Sequence, residues 1–311
     1  MGRKVANFQK RAGNMGWLYI LPWIIGFICF GVFPYAYSFF ISLNKWDLLT
    51  EPKYVGFKNY INLCTADPLF SLAIKNTILY IVFSMLVGLC LALLVAILLS
   101  TKLRGGYFFR TVFYLPNLIV PVAFGLMMAP IFRSQDYGLL NIFLIKVFGL
   151  KPVYWLEDPN IAIWTVIITG YWYIGGAMVI FLAGIKGISS TYYEAAAVDG
   201  AGWFRKFFHI TVPLLMPVIV FQLVAGVIGS LQIFDIPAAM ANLGQSGAQL
   251  IMGRNNSLAT MLFYLYTKGF RYWEMGSACA IGWFIFVAGL ILSLIILRLI
   301  KNSTYTVDQE Q

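Results

Sequence analysis

One short stretch of this sequence, "TYYEAAAVDGAGWFRKFFHITVPLLMP" (Thr191–Pro217), concentrates side chains that could do chemistry. They are two carboxylates, two cations and the single histidine of the chain: Glu194, Asp199, Arg205, Lys206 and His209. The sequence contains no nucleophile–histidine–acid set, no metal-ligand spacing and no GxxxxGK[ST] phosphate loop. We therefore expect no catalytic residue and no metal site, and the stretch is predicted to contact another protein or a surface.

The composition of the chain defines the solvent around this stretch. Of the 311 residues, 60% are apolar and only 11% are charged, whereas an ordinary soluble domain carries about a quarter charged residues. The chain is therefore expected to be an integral membrane protein that contacts membrane lipid. Its net charge of +10 would suggest nucleic acid in a soluble protein, but basic residues in membrane proteins collect on the cytoplasmic side, and no nucleic-acid partner is predicted.

The apolar runs predict an all-α, polytopic fold with six transmembrane helices. A spanning helix needs ~20 apolar residues, and the qualifying runs are Trp17–Leu43, Leu72–Ser100, Thr111–Phe132, Ile161–Ala183, Val212–Phe234 and Gly276–Leu297. The first run follows a basic start, so a cleaved signal peptide is an alternative, although the run is about twice as long as a signal core. The third run contains Pro116, Pro121 and Pro130 and is expected to be kinked, with neighbouring helices satisfying the freed carbonyls.

Lysine and arginine predict the orientation of the spans. With the N-terminus inside, the cytoplasmic pieces hold 12 of the 22 basic residues and only four of the 12 acidic ones. We thus expect a multi-pass membrane protein with both termini in the cytoplasm. Residues 1–16 form a cytoplasmic segment, 17–300 the transmembrane domain with the cytoplasmic loop 184–211, and 301–311 a cytoplasmic tail.

Three predicted external segments are longer than hairpins need: Asn44–Ser71, Arg133–Asn160 and Ile236–Met275. The second contains "YGLLNIFLIKVFG", which is too short to span and is expected to form a surface helix. The third combines the Gly/Asn-rich "ANLGQSGAQLIMGRNN" with the amphipathic "SLATMLFYLYTKGF". Their size suggests an external partner, although they could instead only cap the bundle.

The cytoplasmic loop is expected to form a helix–turn–helix elbow. Helices in a bundle are usually joined by ~2–8 residues, so the long loop requires another explanation. "STYYEAAAV" has a Ser/Thr start and helix-favouring alanines, with Glu194 near the positive end of the helix dipole. Gly200 can adopt the left-handed conformation that ends such a helix, "GWFRKFFHI" begins a second helix, and Pro213 marks entry to the fifth span. The alanine face could fit a groove of another protein, or the elbow could rest on lipid headgroups.

At these residues the chain resembles the inner-membrane permeases of ABC importers. Their cytoplasmic motif has a Glu-Ala-Ala start, a glycine four residues after the second alanine, and an Ile-x-Leu-Pro end. This sequence has Glu194, Ala195 and Ala196, then Gly200, then Ile210-x-Val212-Pro213, with valine replacing leucine. "NTILYIVFSMLVGLCLALLVAILL", "RTVFYLPNLIVPV" and "LQIFDIPAAM" extend the resemblance to the carbohydrate-importer branch. The external glycine- and proline-rich run of that branch is only partly present, as "ANLGQSG".

The resemblance implies a type I ABC importer permease fold and a non-catalytic role in carbohydrate import, with an oligosaccharide the expected substrate. ATP and Mg would be bound by a separate ATP-binding subunit dimer, and this chain would carry no cofactor. The implied coupling residues are Tyr193, Glu194, Ala195, Ala196, Asp199 and Gly200. Glu194 would pair with a basic ATPase residue. Further implied partners are a second homologous permease, which the family favours as a distinct chain, and an extracytoplasmic solute-binding protein.

Other classes of membrane protein fit the residues less well. A secondary active transporter is the main alternative, but such proteins often need carboxylates within the membrane, and no acidic residue lies mid-span. Asp235, at the outer end of the fifth span, is the nearest. A channel or a membrane enzyme remains as a further alternative, with no motif in its favour.

The fourth and fifth spans supply the predicted substrate path. Helical spacing puts Thr169, Trp172, Tyr173 and Gly176 on one face, and the facing side of the fifth span would carry Gln222, Gly226, Ser230 and Ile233. Aromatic rings beside hydroxyl and small residues suit a sugar, because rings stack on its C–H surface and hydroxyls find hydrogen-bond partners. The alternative is that Trp172 and Tyr173 only pack between helices.

Overall fold

The computed structural model describes residues 19–101, 104–133, 138–241 and 252–308, with side chains to residue 299. The predicted N-terminal segment 1–16 and most of the Gly/Asn-rich stretch, residues 242–251, lie outside the described residues. The described part is almost entirely helical, as predicted. Its one sheet is a two-stranded hairpin in the predicted first external segment, in which β1 (Asn44–Lys45) pairs antiparallel with β2 (Lys53–Tyr54).

Six helical units correspond to the six predicted spans. Five are continuous and long and apolar enough to cross a membrane, and the sixth is a broken pair. In chain order they are α1 (Tyr19–Ser42), α3 (Pro68–Ser100), the pair α4 (Gly106–Leu118) and α5 (Pro121–Met128), α7 (Ala162–Gly187), α9 (Trp203–Leu231) and α12 (Met275–Asp308). They are called the first to sixth spans below.

Five shorter helices connect or flank the spans. They are α2 (Lys58–Thr65), α6 (Leu139–Phe148), α8 (Ser190–Val198), α10 (Asp235–Ala241) and α11, which joins Met261–Tyr266 to a π turn at Thr267–Arg271. Helix α6 confirms the predicted surface helix. The amide of its buried Asn141 donates to the Val153 carbonyl (2.9 Å) and accepts from the Trp155 indole (2.9 Å), which fixes the loop before the fourth span.

The third span is broken where its prolines predict. Val120 is extended (ψ 132°) before Pro121, because a proline ring disfavours helical geometry in the preceding residue. The two halves, α4 and α5, meet at 101°. The hydroxyl of Tyr173 on the fourth span donates to the Ile119 carbonyl at the break (2.7 Å). The expected rescue of a freed carbonyl by a neighbouring helix is therefore present.

The second, fifth and sixth spans pack around helix α11, which is part of the main core. Phe263 and Tyr264 of α11 are fully buried against Phe70 of the second span and Ile281 of the sixth. The sequence left open whether this long segment binds an external partner or only caps the bundle; this part of it is packed into the bundle, and a partner for it stays a prediction. The segment inserts its apolar face between two spans, because most of the α11 side chains are apolar.

Buried polar side chains of the second span hold the segment that leads into α11. The Asn76 amide donates to the carbonyls of Ser257 and Ala259, at 2.9 Å each. The Thr77 hydroxyl accepts from the Met261 N–H (2.9 Å). These contacts satisfy irregular backbone that would otherwise be buried without partners, at a cost of several kcal/mol per group in hydrocarbon.

An ionic cluster joins three helices at their predicted external ends. Asp67 caps the second span by accepting from the N–H groups of Leu69 and Phe70, and also accepts from the Tyr264 hydroxyl. The Lys268 ammonium bridges Asp67 (3.4 Å) and Glu274 (2.9 Å). Burial alone would lower the pKa of Lys268, but its two carboxylate partners outweigh that effect and raise it.

Candidate functional site: the cytoplasmic elbow

Helix α8 begins and ends by the mechanisms that its sequence predicts. The Ser189 hydroxyl accepts from the Thr191 N–H (3.4 Å) at the start. At the end, the Ala201 N–H bonds to the Ala196 carbonyl (2.8 Å) and the Gly200 N–H to the Ala197 carbonyl (3.1 Å). These two bonds form a Schellman motif. Gly200 has φ +72° with no atom within 4 Å of an added Cβ, so its requirement for glycine is conformational rather than steric.

Most of α8 is available for contact with another protein. Helix α8 contains no buried residue, and Val198 exposes 89% of its surface. Of the six predicted coupling residues, Glu194, Ala195, Asp199 and Gly200 are exposed, while Tyr193 and Ala196 are half-buried. Among the described residues, Glu194 and Asp199 form no ion pair. The helix therefore presents a small apolar surface flanked by unpaired carboxylates.

Tyr193 attaches α8 to the base of the fifth span. Its hydroxyl lies 3.0 Å from the hydroxyl of Thr211, which is buried. No sequence pattern relates Thr211 to Tyr193, because it lies 18 residues further along the chain and no helical spacing connects the two. The sequence signal that could have identified Thr211 is a hydroxyl side chain beside the apolar start of the predicted fifth span.

The second half of the elbow is continuous with the fifth span. The second helix predicted from "GWFRKFFHI" begins at Trp203 and runs without a break into the predicted span that starts at Val212. A π turn at Phe207–Thr211 lets the Val212 N–H bond to the Phe207 carbonyl. This wider turn accommodates Pro213, which has no N–H to donate. The His209 ring nitrogen Nδ1 pairs with the Arg205 carbonyl (3.1 Å).

The predicted path residues of the fourth span separate into buried and exposed ones. A 3₁₀ turn at Tyr171–Ile174 interrupts the helical register on which their common face depended. Thr169 is fully buried, and its hydroxyl donates to the Thr165 carbonyl (2.8 Å). Tyr173 and Gly176 pack against the broken third span. Trp172, near the middle of the span, exposes half of its surface.

The predicted path residues of the fifth span face the second span. The Ser230 hydroxyl lies 3.1 Å from that of Ser84, and Gly226 packs against Met85. Gln222 and Ile233 are also buried. Ile233 shares a buried apolar cluster with Tyr173 of the fourth-span face, but Gly226 and Ser230 are covered by the second span. Its Phe83 carbonyl accepts from the Tyr171 hydroxyl of the fourth span (3.3 Å). A role for either face in transport stays a prediction.

A polar cleft of about 590 Å³ lies at the predicted external end, between the β1–β2 hairpin and the start of the sixth span. Its lining includes three lysines and three aromatic residues: Lys45, Lys53, Lys58, Trp46, Tyr272 and Trp273. None of these lysines forms an ion pair within the described residues. Two carboxylates, Asp47 and Glu274, also line the cleft. Hydrogen bonds from the Thr50 N–H and hydroxyl lower the pKa of Asp47, which keeps that carboxylate charged.

Comparison with known proteins gives consistent matches over most of the chain. The sequence model of the family described as "Binding-protein-dependent transport system inner membrane component" matches residues 88–304. The "Probable ABC transporter permease protein YesP" of Bacillus subtilis (strain 168) is 38% identical over 308 residues, covering 99% of this chain and 96% of that protein. The "Arabinooligosaccharides transport system permease protein AraP" of the same organism is 31% identical over 298 residues, covering 94% and 90%.

A solved structure is also similar to this chain over nearly its whole length. A chain from the crystal structure of a "bacterial alginate ABC transporter in complex with alginate pentasaccharide-bound periplasmic protein" superimposes with a TM-score of 0.78 at 26% identity. The match covers 94% of this chain and 96% of that chain. The arrangement of spans and external helices described above is thus shared with a transporter subunit.

Proposed function

This chain belongs to the family of binding-protein-dependent transport system inner membrane components, and from that membership we propose that it forms part of the path by which an ABC importer takes up a carbohydrate. An oligosaccharide is the proposed substrate. Relatives named for arabinooligosaccharide and alginate systems support this substrate class. Membership of the family also argues against a secondary active transporter.

The observation that carries the proposal is the exposed helix α8, ended by the left-handed Gly200 and bonded through Tyr193 to the fifth span. We propose that residues 193–199 dock on a separate ATP-binding subunit, with Glu194 paired to a basic residue of that subunit. ATP and Mg would be bound there, so this chain needs no cofactor of its own and is not an enzyme. Glu194 has no ion-pair partner in the part of the chain that the structure describes. This supports the proposal, because such a carboxylate can contribute its full charge to an interface.

We further propose a second permease and an extracytoplasmic binding protein as partners. The fifth span exposes Ala225 and Gly229 on one side, and small residues allow close helix packing in membranes. The external cleft would contact acidic side chains of the binding protein, since its three lysines have no carboxylate partners within the described residues. The orientation would place both termini in the cytoplasm of a bacterial inner membrane.

Two substitutions test the coupling assignment, each with a matched control. Glu194→Lys reverses the proposed docking charge, and Glu157→Lys makes the same change at an exposed external residue. Gly200→Val forces a left-handed valine at a cost of ~1–2 kcal/mol. Gly187→Val adds the same side chain where there is equally open space but no positive φ.

The measurements are membrane insertion, co-purification with the ATP-binding subunit, and substrate-stimulated ATP hydrolysis. Both elbow variants should insert normally and lose co-purification or stimulation, whereas both controls should behave as the wild type. Normal uptake and hydrolysis in the elbow variants would remove the coupling assignment.

A further inference from the structure

A second cleft, of about 260 Å³, lies on the inner side of the elbow, opposite the exposed face of α8. It is enclosed by the inner ends of two spans and by the elbow itself. Ser100 and Thr101 come from the end of the second span, Lys186 from the last turn of the fourth span, and Tyr193, Lys206 and Thr211 from the elbow. The cleft therefore lies where these helices leave the hydrocarbon.

The cleft carries positive charge without a carboxylate. No aspartate or glutamate lines it, and neither Lys186 nor Lys206 forms an ion pair within the described residues. Arg110 adds a third cation beside it by donating to the Leu99 carbonyl (3.0 Å), next to Ser100. The buried Nε of Arg110 has no hydrogen-bond partner in the described part of the chain. These cations favour an anionic ligand with several acceptor oxygens.

The hydroxyl groups of the cleft are already committed. Ser100 donates to the Ile97 carbonyl (2.7 Å), Thr101 donates to the Leu98 carbonyl (2.7 Å), and Tyr193 pairs with Thr211. The donors left for a ligand are thus the ammonium groups of the two lysines, which act as point charges rather than as a directional hydrogen-bonding pattern. The cleft is consequently suited to a phosphate rather than to the hydroxyls of a neutral sugar.

Exposed aromatic side chains beside the cleft indicate the rest of the ligand. Trp203 lines the cleft and stacks on Phe207, with ring centroids 5.5 Å apart. Trp203, Phe204 and Phe208 expose 59%, 72% and 59% of their surfaces. Tryptophan is enriched at membrane interfaces, and basic pockets between spans on the cytoplasmic side bind acidic lipid headgroups. An aqueous anion would leave these aromatic rings in water, whereas a phospholipid covers them with acyl chains.

We propose that this cleft binds the phosphodiester of an anionic phospholipid between Lys186 and Lys206. The inference goes beyond the proposed function, because it requires only that the chain spans a membrane. The bound headgroup would connect the end of the fourth span to the base of the fifth, beside the Tyr193–Thr211 contact. The elbow thus has two faces, of which α8 faces the aqueous phase and Trp203–Phe208 faces lipid.

Native mass spectrometry of the purified full chain, released from nanodiscs of phosphatidylcholine and phosphatidylglycerol, tests the site. The wild type should retain phosphatidylglycerol in preference to phosphatidylcholine. The double variant Lys186→Gln/Lys206→Gln should bind it roughly thirtyfold more weakly, because each lysine near an acidic headgroup contributes about fivefold. Lys53→Gln/Lys58→Gln removes the same charge from the external cleft and should retain the lipid.

Two further arms separate the competing explanations. Lys186→Arg/Lys206→Arg keeps the charge and should retain phosphatidylglycerol. A folded arginine variant that no longer retains this lipid would overturn the proposal. Inorganic phosphate at millimolar concentration should leave the retained lipid in place, and displacement by it would show a free-anion site instead. Equal retention of both lipids, or unchanged retention in the glutamine variant, would also refute the site. None of these measurements involves the ATP-binding subunit, so they are independent of the coupling assignment.

Discussion

The hydroxyl contact between Tyr193 and Thr211 gives the sharpest prediction about the elbow. Tyr193→Phe removes one oxygen atom and keeps the half-buried aromatic ring between α8 and the fifth span. The matched control is Tyr192→Phe, which removes the same atom from a tyrosine that exposes 54% of its surface. Any difference between the two variants therefore reports the hydroxyl contact rather than the loss of a phenol.

The expected magnitude follows from the geometry of that contact. A neutral hydrogen bond of 3.0 Å between partly buried groups contributes about 0.5–1.5 kcal/mol. If α8 docks on the ATP-binding subunit only while held by Tyr193, the variant weakens docking by at most that free energy. The affinity of the ATP-binding subunit should then fall roughly two- to twelvefold.

Equilibrium binding of the ATP-binding subunit to the permease in nanodiscs measures this change. A double-mutant cycle with Thr211→Val separates the pair from its surroundings, because the second substitution should add little once the first is made. Wild-type affinity in Tyr193→Phe, or fully additive effects in the double variant, would refute the claim that this contact positions α8.

The orientation of the chain predicts that Cys64, once the other cysteines are removed, reacts with an impermeant thiol reagent from outside intact cells, and that a cysteine placed at Ser189 does not. The reverse pattern would invert the topology. Charge reversal of Lys53 and Lys58 in the external cleft should reduce uptake when the binding protein is limiting, more strongly at low ionic strength, while an exposed external lysine outside the cleft can be reversed without effect. Trp172→Ala should lower carbohydrate uptake while assembly persists, since this ring is half-exposed at mid-span, and normal uptake would make it structural.

Local rules predicted the parts of the elbow that local rules control. Glycine at position 200 and the Ser/Thr start of α8 act through backbone geometry and near neighbours, so their spacing alone indicates where the helix begins and ends. The break of the third span was equally readable, because proline acts on itself and on the residue before it. The angle of 101° between α4 and α5 could not be predicted, because it depends on what packs against these two helices.

Contacts between distant segments account for what the sequence did not predict. Helix α11 and the substrate-path residues have the same mixture of apolar, aromatic and hydroxyl groups, so composition could not distinguish a buried face from an exposed one. Helical spacing places Trp172 and Tyr173 on one face, but both lie in a 3₁₀ turn that changes the helical register. Trp172 is half-exposed, whereas the Tyr173 hydroxyl bonds to the break of the third span. The continuity of the second elbow helix with the fifth span was not predicted for a related reason, because Pro213 indicates a helix boundary unless a π turn accommodates it.

The two ends of α8 are attached differently, and this difference determines where a displacement of α8 would be transmitted. Towards the fourth span, Ile188 and Ser189 are extended (ψ 128° and 136°) and form a hinge-like link. Towards the fifth span, Gly202 is also extended (ψ 172°), but the Schellman turn and the Tyr193–Thr211 contact tie α8 directly to the helix that runs from Trp203 to Leu231. A helix of that length extends about 1.5 Å per residue and reaches across the bilayer. Movement imposed on α8 should therefore reach the membrane through the fifth span and, at Ser230, pass to the second span, whereas the fourth span can stay in place.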